Sequence, residues 1–213
     1  MVAARGLRVM GAAAATAWAV ASATVMTAAS PAAAAESGVR PVWLHTHGRF
    51  APPKALIPSD ALTYNQQMVP AGAGISVREF AARRSTLVSL RVDGLRPGHS
   101  YGAHVHSKPC GAVPEDSGPN YQDRADPRQP STDPLYANAR NEVWLDLTTN
   151  GKGNGAALSR HTWRFRPGEA RSVVIHERRT ATGIGEAGDA GERLACFTVM
   201  FERPGWYRAG GAR

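Results

Sequence analysis

Beyond residue 35 no segment keeps a helical apolar period for three turns; short alternating runs separated by turn residues take its place. Thr86 to Val92 alternates with Val88, Leu90 and Val92 on one side, and Asp93-Gly94 and Pro97-Gly98 follow as turn signals. Ser100 to His106 reads as the next strand. Glu142 to Leu147 alternates again, with Val143, Leu145 and Leu147 together and Asn150-Gly151 as the turn. Thr162 to Phe165 is a short candidate ended by Pro167-Gly168. Ser172 to His176 is a β-branched run, and Leu194 to Phe201 is the last and longest apolar run. Many short strands with turns between them predict an all-β sandwich or barrel. Two stretches break this rhythm: Ser107 to Arg140, rich in Pro, Asp, Asn and Gly, and Glu177 to Glu192, rich in Gly, Ala and charge. Long irregular loops in a compact domain are usually functional or disordered, and both start directly after a histidine-bearing strand.

The first 35 residues read differently. Arg5 and Arg8 precede an Ala/Val-rich stretch from Val9 to about Ala29, and small residues at Pro31 to Ala35 come before Glu36. This is the pattern of a secretory signal peptide cleaved near Ala35, which predicts a secreted or extracytoplasmic protein. A domain is then expected over 36–203 and a loose tail over 204–213, and no later apolar stretch is long enough to span a bilayer. Export implies an oxidising compartment, so the two cysteines, Cys110 and Cys196, are most economically read as one disulfide. The chain carries 25 Lys+Arg against 17 Asp+Glu; without Arg5 and Arg8 the balance is still +6. Such a charge attracts anions in general. No nucleic-acid motif accompanies it, so no nucleic-acid partner is expected.

Chemistry concentrates in Gly102-Ala103-His104-Val105-His106. Side chains at i and i+2 of a strand share a face, roughly 6.6 Å apart, so two imidazoles can converge on one metal. His176 closes the apolar run Val173-Val174-Ile175 and is a third candidate ligand. Three imidazoles suit copper, zinc or iron, and spacing does not choose among them. His45 and His47 form a second His-X-His, read either as an auxiliary metal site or as two unconnected histidines on an exposed edge strand. His99 reads as a turn residue, and His161 has no evident partner.

Gly-Ala-His-Val-His with Cys110-Gly111, then Val174-Ile175-His176-Glu177, then Glu192-Arg193-Leu194-Ala195-Cys196, resembles the copper/zinc superoxide dismutase family in order and separation. The resemblance covers about Thr86 to Phe201 and implies a Greek-key β-sandwich, or flattened barrel, with two long functional loops. It assigns His104, His106 and His176 to one copper ion, Cys110 and Cys196 to the family disulfide, and Arg193 to the guidance of superoxide. It also implies a homodimer as a common state of the family.

The departures from the family are specific. The family's histidine that bridges copper and zinc falls on Asn120, within Gly118-Pro119-Asn120-Tyr121. Ser107 to Arg140 contains no histidine, so no zinc is expected, although Asp123, Asp126 and Asp133 are nearby. The loop after His176 starts Arg178-Arg179-Thr180 and lacks the family's early aspartate pair. Asn120 cannot ionise, so water would have to deliver the protons, and copper binding with reduced or absent activity is expected. The expected function is a copper-only superoxide dismutase. The alternatives are a copper-buffering sandwich without turnover, a three-histidine zinc site with bound water, and a scaffold that has lost its metal.

Overall fold

Alternation of apolar and polar side chains gives β-strands one face to bury, and two sheets built this way can close on one another. The computed structural model describes residues 41–202, so the expectations for residues 1–35 and 204–213 lie outside the described residues. The strands are β1 (Val42–Arg49), β2 (Ala61–Thr63), β3 (Gly74–Ala82), β4 (Ser85–Asp93), β5 (Ser100–His106), β6 (Leu147–Thr148), β7 (Gly155–His161), β8 (Ser172–His176) and β9 (Arg193–Thr198). There is no α-helix among the described residues, only a 3₁₀ turn at Pro114–Ser117.

Sheet one runs β1-β3-β4-β7 and sheet two β2-β9-β8-β5-β6, antiparallel throughout. The chain leaves sheet one after β4, forms β5 and β6 in sheet two, and returns as β7 beside β4. Such long returns to a neighbouring position are Greek-key connectivity. Ile75, Val77, Val88, Leu90 and Val92 of sheet one share one core with Ala103, Val105, Val173, Ile175, Ala195 and Phe197 of sheet two, which makes the pair a sandwich. Gly48 is a close-approach point: a Cβ there would meet the Phe197 ring at 3.0 Å and Ala61 at 3.1 Å.

Two expectations need correction. Glu142 to Leu147 is not a full strand: β6 covers only Leu147–Thr148, and residues 142–146 touch their neighbours through the isolated bridges Gln122–Glu142 and His104–Trp144. Thr162 to Phe165 is not a strand either; the pairing with β4 ends at His161. In its place Trp163 and Phe165 pack against Tyr121. Sheet one also gains β3, whose inward positions Ile75, Val77, Glu79 and Ala81 hide their period behind a buried charge.

Cys110 and Cys196 form a disulfide that ties the long loop to β9. Both irregular stretches follow strands of sheet two, β5 and β8, and converge around the outer side of those strands.

Candidate metal centre

Core packing of Ala103 and Val105 turns Gly102, His104 and His106 to the outer face of sheet two. On the neighbouring strand Val173 and Ile175 enter the core, so His176 faces outward as well. His104, His106 and His176 are all buried, and their candidate ligand atoms lie within 4.8 Å of one another. The ring centroids are 4.8 Å apart for His104–His176, 5.4 Å for His106–His176 and 6.3 Å for His104–His106.

Each ring is fixed from behind. Thr180 Oγ1 donates to Asp146 Oδ1 at 2.6 Å, so its lone pair accepts from His104 Nε2–H at 2.7 Å. His106 Nδ1–H donates to Gly118 O at 2.8 Å, and His176 Nδ1–H to Gly191 O at 3.3 Å. Carbonyls only accept, so these contacts set the tautomers and leave three lone pairs facing inward: His104 Nδ1, His106 Nε2 and His176 Nε2. Both carbonyls belong to glycines at positive φ, 71° at Gly118 and 78° at Gly191, a conformation that L side chains rarely adopt.

This arrangement fits a metal cation. His106 Nε2 and His176 Nε2 face each other at 3.3 Å, two acceptors with no proton of their own to share. His104 Nδ1 is buried with no hydrogen-bond partner. Two imidazoles on one ion at about 2.0–2.1 Å lie roughly 3–4 Å apart, which brackets the 3.3 Å pair. Protons are an unfavourable substitute. Burial first, then the neighbouring imidazoles and Arg193, hold His104 well below the ordinary imidazole range; burial, His176 and Arg193 do the same to His106. Burial takes His176 down to about 4, partly opposed by its bond to Gly191.

Arg193 reaches this face through a register slip. Ile175 pairs with Ala195 but His176 pairs with Arg193, so Leu194 is an extra residue that enters the core. The slip re-aims Arg193 to the side of His176, as bulges do near functional sites. Its Nη1 donates to Ser117 Oγ at 2.8 Å and Pro114 O at 3.1 Å. Asn120 bridges to His106 through the backbone, and its side chain lies beside His104, where it favours the protonated ring. Its Nδ2 donates to Glu142 Oε2 at 2.8 Å. A cavity of about 240 Å³ lined by Asn120, Glu142, His176, Asp189 and Arg193 opens this corner to solvent.

The remaining histidines stay apart from this cluster. His45 and His47 face outward from sheet one, 6.2 Å between rings, with His45 Nε2 3.2 Å from Ser76 Oγ and Arg78 opposite in register. His99 Nε2–H donates to Glu177 O at 2.6 Å, which pins the start of the second loop. His161 bonds Ser159 at 2.8 Å and packs on Trp163. Thr180, Asp146, Glu142, Gly118 and Gly191 escaped the reading of the sequence. The signal for two of them was present: if Val143, Leu145 and Leu147 face the core, Glu142 and Asp146 must face the histidines.

No family model matches the chain, and no curated protein does. Among solved structures, a mutant of the superoxide dismutase-like protein from Bacillus subtilis aligns at 15% identity with a TM-score of 0.47, over 73% of this chain and 97% of that one. The Cu/Zn superoxide dismutase from Brucella abortus aligns at 16% identity with a TM-score of 0.41, over 74% and 99%.

Proposed function

We propose that this chain is an exported, copper-only superoxide dismutase, with His104, His106 and His176 holding one copper ion, no zinc, and Arg193 receiving the superoxide anion. The observation that carries the proposal is the convergence of three buried, neutral imidazole lone pairs beside one guanidinium and one small solvent-connected cavity. Copper, when bound, supplies the one-electron exchange by which two superoxide ions and two protons become oxygen and hydrogen peroxide; zinc has no second oxidation state for this step.

The chain's own residues supply the remainder. Arg193 places a fixed positive charge at the cavity wall, already oriented by Ser117 and Pro114, so an anion meets it without reorganisation. Glu142 holds the Asn120 amide nitrogen, which turns Oδ1 toward His104, where it can also accept from a water on the histidine side. That water delivers protons in place of the ionisable histidine the family has at this position. Thr180 and the two glycine carbonyls keep the three rings oriented while charge changes in front of them.

The test is superoxide removal by the copper-loaded protein against a His176→Ala control. A clear difference supports the enzyme. Copper retained with equal removal by both proteins leaves a copper-holding sandwich, and retention of zinc in preference to copper defeats the redox reading.

A further inference from the structure

The outer face of sheet one lies across the core from the histidines, and its charge is one-sided. Register spreads Arg49, Arg78, Arg91 and Arg160 over all four strands, and the two-residue turn between β3 and β4 adds Arg83 and Arg84. Asp93 is the only acid at the outward positions of these strands, and Arg49 holds it at 3.0 Å. Trp43, 64% exposed, lies over Phe80 at 4.2 Å, and Phe80 is opposite Leu87, so one row of three strands is apolar and flanked by arginines. A depression of about 660 Å³ at the other end of the face is lined by His47, Arg49, Ser76, Arg91, Asp93 and Asn154 among others.

A metal cation is a poor occupant here, because His45 has Arg78 opposite it and His47 has Arg91 two strands away in the same row. A second copy presenting the same face would bring arginine to arginine. We propose that this face docks on an anionic phospholipid bilayer. By register the strand arginines step obliquely across the face, from Arg49 on β1 through Arg78 and Arg91 to Arg160 on β7, with Arg83 and Arg84 at the turn beyond. The exposed Trp43 beside this positive run is what favours a bilayer, with an apolar layer under its phosphates, over a soluble polyanion. Trp43 with Phe80 supplies the amphipathic anchor suited to the headgroup level. Docked this way, the histidine centre points away from the bilayer and stays open to small anions.

The test is sedimentation of the full chain with vesicles of phosphatidylcholine, with and without phosphatidylglycerol, comparing the parent with Arg78→Ser/Arg91→Ser/Arg160→Ser. These positions point outward, and thermal unfolding checks that the variant is folded. Residues 1–35, which include Arg5, Arg8 and Trp18, are common to both proteins, so any binding they cause is the same in parent and variant, and only the difference between the two is read. Expected is a preference of the parent for the anionic vesicles that weakens about fivefold per arginine removed, with a blue shift in tryptophan emission that Trp43→Ser reduces. Equal binding to neutral vesicles, an unchanged triple variant, or arginine-dependent binding to soluble polyphosphate without binding to anionic vesicles would overturn the proposal.

Discussion

Asn120 Nδ2 and Glu142 Oε2 lie 2.8 Å apart, and the chemistry of the carboxylate decides which end of the amide faces the histidines. Glu142 also accepts from Gln122 Nε2 and Trp144 Nε1, each at 2.8 Å, so it is surrounded by donors and requires the Asn120 nitrogen. Burial pushes the Glu142 carboxyl up, and the three donors pull it back. Glu142→Gln puts an amide among those donors and frees Asn120 to turn. Copper content should stay near the parent's, while superoxide removal falls by about 10–100-fold, as when a residue supporting a metal site is lost. Asn120→Ala added to Glu142→Gln should cost little more than either alone, since the two act as one unit. Additive losses would show that Glu142 acts independently of Asn120.

Thr180 stands between His104 and Asp146 and accepts from one while donating to the other. Its backbone N–H also binds Asp146 Oδ2 at 2.8 Å, so the carboxylate secures both the hydroxyl and the loop that carries it. Thr180→Val keeps the shape but removes the acceptor behind His104 Nε2–H. Copper affinity, measured by competition with a chelator, should drop about 10–100-fold, and Thr180→Ser should restore most of it. An unaltered affinity in Thr180→Val would mean that packing alone orients the ring.

These two relays mark where the sequence stopped being readable. The histidine strands were legible for two reasons: Ala103 and Val105 alternate with His104 and His106, and Val173-Val174-Ile175 is a short β-branched run closed by His176, so β5 and β8 have the bounds predicted. β3 was not, because Glu79 occupies an inward position and breaks the period. Residues 142–146 keep the alternation of a strand but stay outside the strand ladders. Their outward side, Glu142, Trp144 and Asp146, became legible only once His104 was placed opposite Trp144. Thr180 belongs to an irregular loop, where no periodicity relates it to a ring 76 residues earlier. Gly102 admits that loop: a Cβ there would meet Arg178 O at 2.6 Å and Ala190 at 2.7 Å.

Arg193 is half-buried and held by Ser117 and Pro114, so its charge is fixed in direction as well as in sign. A fixed charge in a cavity wall concentrates small anions and raises their rate of encounter. Arg193→Gln should lower the second-order rate of superoxide removal by about tenfold at low ionic strength, and the remaining rate should depend less on added salt. Ser117→Ala keeps the charge but loosens it, so its rate should lie between the two while its salt dependence stays like the parent's. A salt dependence that Arg193→Gln leaves unchanged would assign the attraction to other charges.

Glu79 gives the fold a pH dependence separate from the metal centre. It is buried on the core side of β3, with Oε2 accepting the Glu202 backbone N–H at 3.1 Å and Oε1 without a partner. The nearest cation, Arg164, is paired with Glu202. Burial therefore raises Glu79 from 4.5 to about 7, with the Glu202 N–H opposing and the Glu202 carboxylate adding to the rise. The folded state holds this proton more tightly than the unfolded chain, so its contribution to stability is complete below pH 4.5. It is lost progressively as pH rises to about 7. Across that window the parent should lose up to about 3 kcal/mol from this group. Glu79→Gln mimics the protonated carboxyl and should flatten the profile, with its largest advantage at and above pH 7, as read from denaturant midpoints at fixed ionic strength. A variant that tracks the parent at every pH would show that Glu79 keeps its charge in the fold, with Arg164 shared between the two carboxylates.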